Sequence, residues 1–485
     1  MPLDSGRRLA IGPSTVEEVI CASRGTGLFI TMMKGAVGLA IGTDGIEVTL
    51  LSYLVPCVAA EWGLSSILQG SLTASVFAGE LFGAVVFGLF SDSYGRRPAF
   101  QFATLLVVVF GLLTVFAPSF WWLLLFRSMV GVGAGGMEVP FDLLSEIVPR
   151  REKARVFLGS QVPRAGRFDF GGVAPGPCSV GHSWRLLALV SAIPPLAVLC
   201  CFSFIPESPR WLIANGREAE AKVVLRKMAK TNGVELVDIA IVPEEKPKGK
   251  EGGLGDLWRR PELRKRSVFS CLVWAAFGFL YYGVILLSSK VMGEGGTCSF
   301  DYSILFFASS SELVSNVVTR LYVDKIDRRI SLSINFVLSG VATVLLPLGT
   351  SMWWLLLFSF LARGTAYMSA CLAWVITPEL YPTEIRSTGH AASNAFARIG
   401  AIGASYWVAT SVGYEGIAGL LLAAGVVGGM AGQGLPGLHN PKEATEDCRQ
   451  EDAESRPLLW AGLRREESKA LASVAARPDP SVGRI

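Results

Sequence analysis

The chain alternates between long runs without charge and short links that carry it. Apolar runs fall near 28–58, 65–90, 100–118, 121–148, 186–204, 267–288, 302–323, 331–350, 353–377, 388–410 and 413–433. An apolar run of about 18 residues or more reads as a membrane span rather than a core helix. About 20 such residues cross the hydrocarbon layer of a bilayer. The pattern therefore predicts eleven spanning helices. Between the fifth and sixth runs, residues 206–266 are charged and include EEKPKGKEGG, the composition of a linker. Residues 441–485 are polar and rich in charge and Pro, a composition that favours disorder.

The polar links repeat. WWLLLF stands at Trp121–Phe126 and again at Trp353–Phe358, an offset of 353 − 121 = 232. SDSYGRR sets Asp92 before Arg96 and Arg97, and VDKIDRR sets Asp324 before Arg328 and Arg329, again 324 − 92 = 232 apart. Glu146-Ile-Val-Pro149 and Glu379-Leu-Tyr-Pro382 differ by 379 − 146 = 233. Two homologous halves follow, an organisation known among transporters.

The repeat exposes an irregularity. The partner of the 388–410 run should lie near 156–178, yet residues 159–178 read GSQVPRAGRFDFGGVAPGPC. Charge parity asks for a span in the same place. Link 149–155 holds Arg150, Arg151, Lys153 and Arg155, and the central segment is also basic. Basic links lie on the cytoplasmic side, so an even number of crossings must join these two. The 186–204 run is one, and 156–184 must supply the other. The expected architecture is an all-α polytopic membrane protein of two six-helix bundles with a degenerate fifth span. About the right number of residues is present (184 − 155 − 1 = 28). Length kept and composition lost point to a shifted reading frame or a wrong exon. The other reading is a broken helix lining a cavity, where irregular backbone survives at membrane depth.

Composition narrows the function classes. Of 485 residues, 51% are hydrophobic and 17% charged, with mean hydropathy +0.46. Soluble domains carry about 25% charged residues. A net charge of +4 does not suggest nucleic acid as a partner. The nine Cys form no CxxC pair, so neither a zinc site nor a disulfide framework is expected. Three His argue against His-based metal chemistry. No nucleophile–base pair or phosphate-cradling glycine loop is evident, so neither an enzyme nor a cofactor is expected. The N-terminus lacks the order of a cleaved leader.

GLFSDSYGRR (88–97) resembles the loop between spans 2 and 3 of the major facilitator superfamily. RSMVGVGAGG (127–136) resembles its Arg-plus-glycine motif in span 4. PESPRW (206–211) and PELYPTEIRSTG (378–389) resemble the sugar-porter and organic-ion branch. With GTDGIE (42–47) and YYG (281–283), the set looks most like the synaptic vesicle 2-related transporters. The resemblance covers about 27–435 apart from 159–183. It implies a 1–26 cytoplasmic N-terminus, a 27–205 bundle, a 206–266 cytoplasmic linker, a 267–435 bundle and a 436–485 cytoplasmic tail. It also implies alternating access of a small organic solute, charged or uncharged, with protons as a coupling partner and a monomer in the lipid bilayer. The alternative is a membrane receptor or scaffold that keeps the fold without transport, or a variant inactive through its broken span 5. Plasma membrane and vesicle membrane stay open.

Two groups of residues are the candidates. At the basic end, Asp92, Gly95, Arg96, Arg97, Glu146, Arg155, Glu207 and Arg210 form one charge cluster. Asp324, Arg328, Arg329, Glu379 and Arg386 form its repeat. In the family such clusters latch the halves together. The other reading is static helix-end charge. Gly95 permits a turn with φ > 0. Asp327 stands at the equivalent position, so the second cluster is expected to differ in geometry.

Within the membrane, charge is costly and is by default a functional hypothesis. Asp44 and Glu47 share one face of span 1 and suit proton coupling, a cationic solute or pairing with a neighbouring span. On a 100° helical wheel Glu138 lies about 20° from Arg127, with Asp142 and Glu146 at further four-residue steps. Glu312, Arg363 and Arg398 are further intramembrane charges, in a cavity or in interhelix pairs. Glu80 has no assigned role. Trp274, Tyr281 and Tyr282 suit a ligand-stacking wall, interface anchoring or plain packing. The glycines of 131–136 are expected to pack helices closely.

Overall fold

A computed structural model of the chain describes residues 7–14, 16–22, 27–148, 183–202, 204–241, 254–292, 302–323, 325–381, 385–411 and 413–435. The 159–178 run, Arg155, Asp324 and the segment beyond 435 lie outside the described residues, as do the side chains of Glu138 and Arg386.

The first half contains α1 (Val16–Ala22), α2 (Leu28–Trp62), α3 (Ser66–Tyr94), α4 (Arg96–Val115), α5 (Phe120–Gly135), α6 (Val139–Ile147), α7 (Ser183–Ser191) and α8 (Ile193–Cys201). The central segment forms α9 (Pro209–Ala214), α10 (Glu218–Thr231) and α11 (Leu254–Arg259). The second half contains α12 (Pro261–Met292), α13 (Tyr302–Tyr322), α14 (Arg328–Leu345), α15 (Met352–Leu380), α16 (Arg386–Thr410) and α17 (Tyr414–Gln433). Each apolar run has become a helix or a closely joined pair of helices. Among the described residues, nine helical segments are long and apolar enough to cross a membrane. The other two runs, α13 and α16, carry Glu312 and Ser309–Ser311, and Asn394 and Arg398, which dilute their apolar character. This is the expected all-helical polytopic fold.

The apolar surface splits between inside and outside. Trp121 and Trp353, the repeated residues of WWLLLF, are 69% and 80% exposed at equivalent helix starts. Such large aromatics on the outer face fit the interfacial belt of a membrane protein. The inner faces build separate cores for the two halves, with Val48 and Phe77 of the first half joining the second core.

The span 4 glycines act as packing residues. A Cβ at Gly131 or Gly135 would run into the Val76 or Glu80 carbonyl of α3, and one at Gly79 or Gly83 into the backbone of α5. Helices this close require small residues on both sides.

Three features depart from expectation. The span 4 helix is broken by a 3-10 turn at Gly136–Glu138. Pro140 has no N–H for the carbonyl four residues back, which belongs to Gly136, and the Gly135-Gly136 pair offers little helical preference. The 3-10 turn stands between Arg127 and the Asp142–Glu146 part of the span. Second, Cys57 on α2 is disulfide-bonded, although the spacing of the cysteines suggested no such framework. The lack of a CxxC pair excludes only partners three residues apart. Among the described residues Cys200, Cys201 and Cys271 are free thiols. Third, β1 (Arg7–Ser14) pairs in parallel with β2 (Val234–Ile241), tying the N-terminal segment to the central one. Val234, Leu236 and Ile241 join the first-half core beside Leu225 and Met228 of α10.

Candidate functional site

The basic end of the first half is built on one turn. Gly95 has φ 111°, a conformation that side chains rarely adopt. A Cβ there would also strike the Glu207 carboxylate. Glu207 accepts hydrogen bonds from the backbone N–H groups of Arg96 (2.9 Å), Arg97 (3.2 Å) and Ser208 (2.9 Å). The first two are orphan donors at the start of α4, where negative charge is favourable. Burial nonetheless pushes the Glu207 carboxyl above its ordinary value, against the pull of its three N–H partners. The Arg96 guanidinium reaches Asp92 (2.5 Å) and Glu146 (3.2 Å). Arg210 donates to the Glu146 carbonyl at 3.0 Å. The Arg97 side chain donates to the Phe202 carbonyl at 3.1 Å.

The second half solves the same turn differently. Asp327 has φ −54° and caps α14 itself, accepting from the N–H groups of Arg329 (2.8 Å) and Ile330 (3.4 Å). Arg328 pairs with Glu379. Arg329 donates to the Leu435 carbonyl at 3.3 Å. Each of these ion pairs joins elements of one half.

Deeper in, the charges come together in buried pairs. Arg127 is fully buried and sits 2.6 Å from Glu47, with Thr114 Oγ1 accepting from the same guanidinium at 3.0 and 3.2 Å. Arg363 lies 2.9 Å from Glu312, which also accepts from the Tyr281 hydroxyl at 2.9 Å. Arg398 lies 2.9 Å from Glu80 and donates to the Tyr282 hydroxyl at 2.7 Å. The first two pairs are internal to their halves. The Glu80–Arg398 pair crosses between them. Phe77 against Tyr282 (4.5 Å between ring centres) and Ser71 against Tyr406 (3.2 Å) cross beside it. These contacts run from α3 to α16 and, at Tyr282, to α12, toward the end opposite the basic clusters.

A small cavity of about 50 Å³ lies between the halves. It is narrower than a fully open small-molecule pocket, which spans about 300–1,000 Å³. The first half contributes Asp44 from α2, Met137, and Phe141 from α6. The second half contributes Trp274, Tyr281 and Tyr282 from α12, Tyr367 and Trp374 from α15, and Asn394 and Arg398 from α16. Phe141 and Trp374 meet across the halves at 5.9 Å. Of the sequence candidates, Asp44, Trp274, Tyr281, Tyr282 and Arg398 thus share one cavity. Glu47, Arg127, Glu312 and Arg363 are held in the pairs just described.

The family model described as "Sugar (and other) transporter" matches residues 30–427. The chain belongs to this family. Curated relatives of this sugar-transporter-family chain include a synaptic vesicle 2-related protein of Bos taurus, 30% identical over 402 residues, covering 78% of this chain and 72% of that one. Another is the organic cation/carnitine transporter 7 of Arabidopsis thaliana, 29% identical over 435 residues, covering 80% and 86%. Among solved structures, the xylose transporter XylE from E. coli in a partially occluded inward-open conformation superposes with a TM-score of 0.66. It is 17% identical, with 84% of this chain and 96% of that one covered. A further match at TM-score 0.62 names that protein as a major facilitator superfamily proton:xylose symporter. The fold is therefore that of the major facilitator superfamily, and the chain is an integral membrane transporter.

Some residues of the site were not found from sequence. In the sequence Asp327 shows only as a departure from the glycine of the first repeat. The partnership of Glu80 with Arg398 leaves no trace in spacing, since 318 residues separate them (398 − 80). Asn232, whose side chain accepts from the Phe29 N–H at 3.0 Å at the start of α2, looks like an ordinary linker residue.

Proposed function

We propose that the chain is a proton-coupled secondary transporter of a small, charged organic solute, and that the inter-half cavity is its binding site. The observation that supports this most directly is the cavity itself. It sits where two repeat-related bundles meet, the place where transporters of this kind bind. Its wall combines aromatic faces with the Asp44 carboxylate, 5% exposed on α2. An acidic group there suits proton coupling. The bundles are read as 27–205 and 267–435, monomeric, with the basic clusters and both termini in the cytoplasm. In this reading Glu80–Arg398 and its neighbours close the outer side, and the Gly95 and Asp327 clusters act on the inner side.

The test is uptake into proteoliposomes driven by a pH gradient, screened over organic solutes and repeated with Asp44→Asn. Loss of gradient-driven uptake at unchanged expression is expected. Unchanged uptake would remove Asp44 from the mechanism.

A further inference from the structure

Glu80 is the intramembrane charge without an assigned role, and its surroundings supply one. Its side chain is fully buried on α3. Its carboxylate lies 2.9 Å from the Arg398 guanidinium on α16. Arg398 lines the cavity, while Glu80 stands behind it. A guanidinium in a water-poor wall is a strong receptor for a carboxylate or similar anion. Here its charge is already countered and its Nη1 engaged. Tyr282 adds its hydroxyl oxygen as a second acceptor at 2.7 Å. With Arg398 matched from within the protein, the other charged group lining the cavity is Asp44. Trp274, Tyr281 and Tyr282 present the ring faces on which an organic cation is held. Stability alone does not account for the pair, since matched apolar residues often serve as well as a buried ion pair.

We propose that Glu80 is a built-in counter-anion that occupies Arg398, so that the cavity admits organic cations and turns organic anions away. The proposal rests on the reading of this cavity as the solute site, and it makes Glu80 a specificity-determining residue. Glu80 joins the two halves through the same contact, so exchange of its partner and movement of the halves are linked.

The test uses the purified full chain in detergent, with tryptophan fluorescence as readout, because Trp274 and Trp374 lie in the cavity wall. The probes are tetraethylammonium and benzoate. In the wild type, tetraethylammonium is expected to give a saturable response and benzoate none. Glu80→Gln is expected to tighten benzoate by about tenfold or more, the scale of one charge-assisted hydrogen bond, and to weaken tetraethylammonium. The double variant Glu80→Gln/Arg398→Gln is expected to lose the benzoate gain. Equal benzoate responses in the wild type and Glu80→Gln would overturn the proposal. So would wild-type benzoate binding as tight as that of tetraethylammonium, an arm that decides the matter even if Glu80→Gln does not fold. A wild type that answers neither probe, with Glu80→Gln gaining benzoate, would sink the cation-site reading while sustaining the role of Glu80 on Arg398.

Discussion

In the first half the turn before α4 is a glycine at φ 111°, and the carboxylate that receives the α4 N–H groups arrives from Glu207, 111 residues away from Arg96 in the chain. In the second half Asp327 holds the equivalent position with ordinary backbone and supplies its own carboxylate to α14. One task, neutralising a helix start next to a pair of arginines, is met once by a distant residue and once by a local one. A local cap forms with its own helix and answers to little else. The distant cap forms only when the central segment is in place, so the first-half turn is conditional on the chain that joins the halves. The buried pairs also differ. Glu47 meets Arg127 between α2 and α5, whereas Glu312 meets Arg363 between α13 and α15 and has Tyr281 as a further donor.

The largest test of this contrast is removal of the buried arginines. Arg127→Gln should cost about 3–5 kcal/mol by leaving Glu47 buried against a weak partner. Arg363→Gln should cost less, because Tyr281 still donates to Glu312. Thermal unfolding of the two variants in detergent checks the order. Equal losses would erase the difference between the halves at this level.

Next come the turns. Gly95→Ala should cost at least about 1–3 kcal/mol, since it forces a side chain into a strained backbone region and against Glu207. Asp327→Gly should cost only a few tenths of a kcal/mol, the usual difference between an Asp cap and a Gly cap. The reverse order, measured by the same unfolding assay, would show the second turn to be the more constrained one.

The smallest effect is a pH dependence confined to the distant cap. The folded protein holds the Glu207 proton more tightly than the unfolded chain does, because burial raises its pKa. The stability this gives is present below the ordinary carboxylate value and drains away as pH rises through the raised one. The melting temperature of the wild type, minus that of Glu207→Gln, should therefore fall as pH rises above the ordinary carboxylate value of about 4. A difference that stays flat or rises would refute the assignment.

Much of this architecture is legible in the sequence, and the reason is physical. Hydrocarbon thickness fixes the length of each apolar run, and the WWLLLF and Arg-Arg landmarks fix the repeat. Gly95 was legible because a turn with positive φ has few alternatives to glycine. Asp44 and Arg127 were legible because charge in hydrocarbon is conspicuous, but what they touch was not. The 3-10 turn at Gly136–Glu138, between Arg127 and Glu146, is not visible in the spacing of the charges. Glu80 could be seen to be odd, yet its partner lies in the other half. Pairings of this kind depend on how two bundles dock, and periodicity within one helix carries no information about docking.

The β1–β2 contact bears on how the protein is made. Arg7 leaves the ribosome before its partner Val234, which follows 227 residues later (234 − 7). A nascent first half therefore completes its helices while its leading strand still waits for a mate. Truncated chains ending before β2 should expose that strand to protease, and chains ending just beyond it should protect it. The N-terminal strand thereby marks the moment in synthesis at which the first bundle is sealed.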